Sequence, residues 1–175
     1  MPALIEVKLA ELAQLFNSMD PSPFHERDLD QDAEEFIVSW AQEHPRDDAL
    51  KLVIHLAKPP AETTQAQQAV EESVRHYFDY RAEMLWREFR QLMKEGRSAL
   101  LIGLVFMAAC LFVSSMIFQG DVPWKGVVRE GFTILGWVAM WRPLDIYLYR
   151  WWPLLGKRRL YERLARMTVE VRCTS

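Results

Sequence analysis

Two pairs of ionisable residues flank a short apolar run, and this position makes them the first candidates for chemistry. Arg129 and Glu130 precede the uncharged residues 131–141, and Arg142 and Asp145 follow them. Ionisable groups at membrane depth are costly and usually face a partner or a water-filled cavity. Because Arg142 and Asp145 are three residues apart, they can pair on one face of a helix. The pattern favours an ion pair at the membrane interface and leaves open a polar pathway or a partner-binding role.

Three carboxylates at alternate positions form a second candidate site. Asp28, Asp30 and Asp32 reproduce the first three ligand positions of a calcium-binding loop. However, Ala33 stands where that loop needs glycine, and Ser39 stands where it needs a bidentate glutamate. Carboxylates before or within the first turn of a helix also cap free N–H groups and meet the positive end of the helix dipole. The sequence favours this capping role over a cation site.

Other templates for catalysis or metal binding are missing from the sequence. No two of the four histidines have the i, i+4 spacing of a helical zinc site, and Cys110 and Cys173 do not cluster with them. The chain has no GxSxG, HExxH or CxxC motif and no glycine-rich phosphate loop. We therefore predict no metal, no cofactor and no enzymatic activity.

The elements that would position the ionisable pairs begin with residues 98–118. This run of 21 residues contains no charge, and at about 1.5 Å per residue a helix of this length spans the hydrocarbon core of a bilayer. A polar segment of 97 residues precedes it, whereas a cleaved signal peptide begins at the N-terminus. The sequence predicts a transmembrane helix here, with Ser114 and Ser115 as its polar edge.

A second transmembrane helix is predicted over residues 127–149, after a short connector at 119–126. Its uncharged run is only 11 residues long, so a crossing must carry the ionisable pairs at or near the hydrocarbon boundary. Basic residues crowd the outer flanks of the two apolar stretches, and only Lys125 and Arg129 lie in or near the connector. By the positive-inside rule, both termini are cytoplasmic and the connector faces outward. We therefore expect a two-span protein of the inner (cytoplasmic) membrane.

The remaining segments predict a small cytoplasmic domain built from both ends of the chain. Apolar and polar residues alternate over residues 4–9, 50–57 and 167–172, as in half-buried strands. A helical stripe between the first two strands contains Ala33, Phe36, Ile37, Trp40 and Ala41. The predicted fold is an α+β membrane protein: a two-helix transmembrane hairpin with a domain of about three strands and flanking helices. Its predicted segments outside the hairpin are the α/β domain 1–60, the long helix 61–97 and the C-terminal segment 150–175.

The long helix is predicted from an approximately heptad-like stripe between residues 63 and 95. Gly96 is the only helix breaker before the apolar run, which leaves open whether one helix continues through both. The stripe is longer than a three-stranded sheet could cover, so it favours self-association.

Charge is divided unequally along the chain. Residues 1–80 carry 16 acidic and 6 basic side chains, whereas residues 81–175 carry 8 and 15. The basic residues suit anionic headgroups and do not form the aromatic-studded basic surface of a nucleic-acid-binding protein. We expect contact with anionic lipids and none with nucleic acid. The residues predicted at the headgroup interface are Arg97, Trp151, Trp152, Lys157, Arg158 and Arg159.

Two classes of function fit these features. The first is a structural, scaffold or accessory subunit that forms homo-oligomers or joins a larger membrane complex. The second is an oligomeric channel or transporter whose polar path uses the intramembrane arginine and carboxylate residues. Because two spans touch along one seam only, Arg142, Asp145, Ser114 and Ser115 cannot all be enclosed in a monomer. We favour the first class, which needs no special chemistry.

Overall fold

The computed structural model describes residues 3–17, 27–45, 48–57, 63–117 and 123–173. The chain divides into two compact units. One unit comprises Met1–Leu85 together with Gly156–Ser175, so it contains both ends of the chain. The other comprises Trp86–Leu155.

Three short strands form one parallel sheet in the first unit. The strands are β1 (Ala3–Leu9), β2 (Leu50–Leu56) and β3 (Thr168–Cys173). β2 is central, and Ile5, Leu52 and Val169 lie in register across the sheet. Parallel neighbours need crossover connections, which helices supply here. The predicted mixture of helices and a small three-stranded sheet is confirmed, with strand bounds that differ from the prediction by one residue at several ends.

The core of this unit lies on one face of the sheet. Ile5, Leu52 and Ile54 are fully buried there. A 3-10 helix (Leu12–Leu15), α1 (Gln31–Glu43) and two helices later in the chain contribute further members of the core. The alternation that predicted the strands therefore also identified their buried faces.

Helix α1 begins where the carboxylates predicted a cap. Asp30 is the N-cap, and its Oδ1 accepts a hydrogen bond of 3.0 Å from the backbone N–H of Asp32. The predicted buried stripe of α1 is partly wrong, because Phe36 and Trp40 are 41% and 42% exposed. The buried apolar side chains on this helix are those of Ile37 and Ala41.

Helix α2 (Thr63–Ile117) contains both the predicted long helix and the predicted first span. It continues without interruption through Gly96. Its stripe residues Val70, Val74 and Phe78 are buried in the core of the first unit. The expected surplus of apolar stripe over residues 63–95 as a whole stays a prediction. By length and composition, α2 is the one helix in the described ranges that could cross a membrane, and only 17% of its most apolar window is buried within the chain.

The second apolar stretch is divided into several helical segments. These are α3 (Pro123–Ala139), α4 (Trp141–Asp145), a π-helical turn (Ile146–Arg150) and α5 (Trp151–Ala165). The prediction of one helix over 127–149 is therefore corrected, and α3 already begins within the predicted connector. Pro143 explains the division, because its ring nitrogen cannot donate to the carbonyl of Ala139 four residues earlier. Within residues 123–173, no single helix is both long enough and apolar enough to cross a membrane by itself, as α2 is.

Candidate functional site

The second unit is built on close contact between α2 and the helices that follow it. A Cβ placed on Gly96 would lie 3.0 Å from a methyl carbon of Ile146, and one on Gly136 would lie 3.3 Å from Cγ of Met107. Residues late in α2 thus face residues early in the second stretch, which is the antiparallel arrangement of a helical hairpin. Small residues at such a seam let two helix backbones approach closely.

Gly103 marks the tightest backbone approach along this seam. A Cβ on Gly103 would lie 3.0 Å from the carbonyl oxygen of Ala139. That carbonyl is the one to which Pro143 cannot donate. Because Gly103 has no side chain, α2 has room for the carbonyl of Ala139, which lacks its usual helical N–H donor at Pro143.

The ionisable residues of the second stretch are not brought together into a site. Arg129, Glu130 and Arg142 are exposed, and Asp145 is half-buried. Within the described part of the chain, Arg142 and Asp145 form no ion pair, and their role at the membrane interface stays a prediction. Three-residue spacing lets two side chains meet on one face of a regular helix. However, α4 is a short segment that contains Pro143 and is followed directly by the π-helical turn.

The two serines of the predicted polar edge have different surroundings. Ser114 is 8% exposed, whereas Ser115 is exposed and its hydroxyl donates a 2.8 Å hydrogen bond to the carbonyl of Phe112. Such a bond within the helix satisfies a hydroxyl without a partner helix. Ser115 therefore does not by itself require another subunit.

The predicted headgroup residues fall in both units. In the second unit, Arg97 and Trp152 are exposed, and the Nε1 of Trp151 donates to the carbonyl of Tyr147 at 2.7 Å. In the first unit, Lys157 and Arg159 are exposed on α5. Arg158 instead pairs with Glu162 at 2.8 Å.

A buried carboxylate that sequence reasoning missed joins three helices of the first unit. Glu34 of α1 accepts hydrogen bonds from the hydroxyls of Tyr77 at 2.6 Å and Tyr161 at 2.7 Å. The guanidinium of Arg81 donates to the same carboxylate from Nε at 3.1 Å and from Nη2 at 2.9 Å. Arg81 also lies over the rings of both tyrosines, at 6.0 and 5.8 Å from their centres. We call these four residues the Glu34 cluster, and three of them, Glu34, Arg81 and Tyr161, line a cleft of about 390 Å³.

The electrostatics of the cluster keep Glu34 ionised. Burial alone would raise its pKa, but the hydrogen bonds from Tyr77, Tyr161 and Arg81 outweigh burial and hold the pKa of Glu34 below its usual range. Burial, then the bond to Glu34, raises the pKa of both tyrosines, so their hydroxyls remain donors. The bond and the charge of Glu34 raise the pKa of Arg81 against the opposing effect of burial. Such a cluster is suited to joining α1, α2 and α5.

A signal for this cluster exists in the sequence. Glu34, Ile37 and Ala41 are spaced i, i+3 and i+7, so they share one helix face, and all three are buried. The apolar stripe predicted for α1 included the hydrophobic residues Phe36 and Trp40, which are exposed, and left out Glu34, which is buried. A carboxylate on the buried face is recognisable only if its partners are known, and these lie 43, 47 and 127 residues away along the chain.

The outer face of the sheet carries a smaller charged cluster. Glu170 accepts from Arg172 Nε at 2.9 Å and pairs with Lys51 at 2.6 Å, and these bonds lower its pKa to about 2. Within the described ranges, no group of three or more His, Cys, Asp or Glu side chains is arranged to hold a metal ion.

No family model, curated protein or solved structure matches this chain. Its function is therefore inferred from its own residues and their geometry.

Proposed function

We propose that this protein is a non-enzymatic structural subunit of the inner membrane, anchored by two membrane crossings. Both termini are cytoplasmic in this proposal, and the sheet domain provides contacts to other copies or to a larger complex. In this proposal, the apolar part of α2 is the first arm of the membrane hairpin, and α3 and α4 form the second arm.

The pairing of β3 with β2 is the observation that carries the proposal. β2 precedes the apolar part of α2, and β3 follows the last helix, yet the two strands are hydrogen-bonded neighbours. Strands of one sheet must lie on the same side of a membrane. If the apolar part of α2 crosses once, the chain must return before β3, which requires an even number of crossings.

The exposure of α2 supports the first crossing. Ile102 and Val105 are 68% and 63% exposed in the single chain. A core helix of a soluble protein would bury such residues, and large exposed apolar surfaces mark sites of contact with membranes or proteins. Lipid tails would cover this surface.

The second crossing is supported by helix length and packing. Residues 123–145 comprise α3, the turn residue Met140 and α4, and a helix of this length extends about 34 Å, enough for the hydrocarbon core. The contacts of Gly96, Gly103 and Gly136 run along the same seam. A segment packed in this way beside a crossing helix would share its membrane depth.

The Glu34 cluster supports a structural role over a catalytic one. Two tyrosine hydroxyls and the guanidinium of Arg81 donate four hydrogen bonds to this carboxylate. A general base works best with a pKa near the operating pH, whereas the pKa of Glu34 is shifted down, away from neutrality. The carboxylate thus suits a fixed joint between helices.

Self-association is proposed from the position of Arg142. This residue is exposed near the membrane boundary and has no ion pair in the described part of the chain, and ionisable groups at such depths usually face a partner. The exposed rings of Phe36 and Trp40, 6.1 Å apart, offer a further contact surface on the sheet domain.

Two measurements test this function together. One is the mass of the purified protein in mild detergent, and the other is the permeability of liposomes that contain it. We expect an oligomer that leaves ion and small-solute permeability unchanged. A monodisperse monomer would contradict the scaffold proposal. Solute flux above that of empty liposomes would instead favour a channel or transporter.

A further inference from the structure

A basic cleft of about 720 Å³ lies within the first unit, apart from the Glu34 carboxylate. It is bordered by the end of α1, the starts of β2 and β3, and one side of α5. Four basic side chains line it: Lys157, Arg159 and Arg163 of α5, and Arg166 in the turn that directly follows α5. Arg159 and Arg163 are four residues apart, which places them on one face of α5.

The positive charge of this cleft is largely uncompensated. Glu162 is the one acidic residue that lines it, and its carboxylate pairs with Arg158 at 2.8 Å. Within the described ranges, the four basic residues of the cleft form no ion pair. Arg163 donates to the backbone carbonyl of Asp48 at 2.6 and 3.1 Å, which fixes its guanidinium without neutralising it.

A helix-terminus effect does not account for all of this charge. Cations stabilise the C-terminal end of a helix, but the effect is confined to about the last turn. Arg163 and Arg166 are near the end of α5 at Ala165 and fit that explanation. Lys157 and Arg159 lie more than one turn earlier and do not.

The rest of the lining adds apolar and neutral polar surface. Leu50 and Leu160 contribute apolar surface, and Gln42 and Thr168 contribute neutral polar groups. His44 also lines the cleft, and its Nε2 is buried without a hydrogen-bond partner in the described part of the chain. The volume falls in the range of small-molecule sites, about 300–1,000 Å³.

We propose that this cleft binds a phosphate-bearing ligand. Guanidinium groups match phosphate oxygens in a bidentate geometry, and three arginines and a lysine line this cleft beside one carboxylate, that of Glu162, which pairs with Arg158 and with none of the four. The phosphate can belong to a soluble anion or to the headgroup of an anionic lipid. All the lining residues belong to one unit, so the site does not depend on the proposed membrane crossings.

Two charge-matched double variants of the full-length protein test the site. Arg159→Gln/Arg166→Gln removes two exposed charges from the cleft and spares Arg163, which holds the backbone of Asp48. Lys8→Gln/Arg75→Gln removes two exposed charges of the same unit outside the cleft. Each protein is placed in phosphatidylcholine nanodiscs, and binding of inorganic pyrophosphate is measured by calorimetry. In parallel, its thermal midpoint is followed as phosphatidylglycerol replaces phosphatidylcholine.

We expect one of the two probes to bind the wild type and the Lys8/Arg75 control with equal affinity. The cleft variant should bind at least about tenfold more weakly, because each arginine supplies a charge-assisted hydrogen bond. Pyrophosphate binding would identify a soluble phosphate as the ligand, and an effect of phosphatidylglycerol alone would identify a lipid headgroup. The absence of binding by both probes, or equal weakening in both double variants, would overturn the proposal.

Discussion

At the residue scale, Glu34 is the side chain on which the packing of the first unit most depends. It is 9% exposed and accepts bonds from residues on two other helices. Removing one member of a buried charged cluster costs more than the cluster contributes as a whole, because the remaining partners stay buried without an acceptor.

Glu34→Ala should lower the free energy of unfolding by about 1–3 kcal/mol, a range that allows for the partial exposure of Arg81. The measurement is the thermal midpoint in detergent. Glu35→Ala, at the exposed neighbouring position, is the control and should change the free energy of unfolding by no more than about 0.5 kcal/mol. Equal midpoints for the two variants would show that the cluster is not a joint.

The depressed pKa of Glu34 also predicts how stability depends on pH. An unfolded glutamate takes up its proton near pH 4.3, whereas folded Glu34 does so at lower pH. Its contribution is therefore fully present above about pH 4.3 and is lost as the pH falls through the folded pKa. We expect thermal midpoints measured from pH 6 downward to fall less steeply for Glu34→Gln than for wild type. Parallel curves would exclude Glu34 as a source of the acid sensitivity.

The sequence predicted residues well where one local pattern decides their position. The capping role of Asp30 could be predicted because the N–H group that it binds lies in the first turn of the same helix, two residues along the chain. Glu34 was missed because its role depends on residues from α2 and α5. Arg142 and Asp145 form no ion pair in the described part of the chain, although their spacing allows one. Spacing along a helix does not by itself determine the direction of a side chain beside a proline.

At the element scale, the seam between α2 and the second apolar stretch depends on glycine. Gly103→Ala would place a Cβ 3.0 Å from the backbone oxygen of Ala139, and a carbonyl in a helix cannot move aside as a flexible side chain can. We expect the thermal midpoint to fall, by the equivalent of about 1–3 kcal/mol.

Gly131→Ala is the matched control for this prediction. It lies within α3, and a Cβ there would meet nothing within 4 Å. Alanine favours a helix over glycine by about 1 kcal/mol, so this variant should be unchanged or more stable. If Gly103→Ala were as stable as Gly131→Ala, the close approach at the seam would be wrong.

Val105→Arg tests whether the apolar part of α2 lies in lipid. Arginine near the centre of a membrane helix costs about 2.5–3.5 kcal/mol, so the fraction of protein that resists alkaline carbonate extraction should fall. Tyr80→Arg changes another exposed residue of α2, outside the apolar run, and should leave extraction unaffected. Unchanged extraction of Val105→Arg would contradict the membrane placement, since an exposed position of a soluble helix tolerates arginine.

The elements could be predicted from sequence where periodicity was strong. The three strands were identified by their period, and the helix at residues 98–118 by its length and its lack of charge. The division of the second stretch was not predicted, because the effect of Pro143 on the carbonyl of Ala139 depends on the packing against Gly103. Continuity of α2 through Gly96 was left open because a lone glycine only weakens a helix.

At the scale of the whole molecule, the sheet ties the two ends of the chain together. The alternation of residues 167–172 predicted a third strand, but alternation cannot show which strand it pairs with. That pairing joins β3 to β2 and constrains the number of crossings to be even.

Arg142→Leu tests whether assembly covers the exposed arginine. We expect a smaller oligomer, or a monomer, by mass in mild detergent, because a charge-dependent contact is removed. Arg150→Leu removes another exposed arginine, directly before the predicted headgroup residues Trp151 and Trp152, and should keep the wild-type mass. The same mass for wild type and both variants would exclude Arg142 from the interface.

Cysteine accessibility in sealed cells tests two membrane crossings most directly. Single cysteines replace Lys8 on β1, Gly120 in the predicted connector and outside the described residues, or Thr168 on β3, each in a chain whose Cys110 and Cys173 are replaced by alanine and serine. A membrane-impermeant maleimide should label Gly120→Cys in intact cells, and Lys8→Cys and Thr168→Cys only after permeabilisation. Labelling of Lys8 and Thr168 from opposite sides, or protection of all three positions in intact cells, would contradict the two-crossing account.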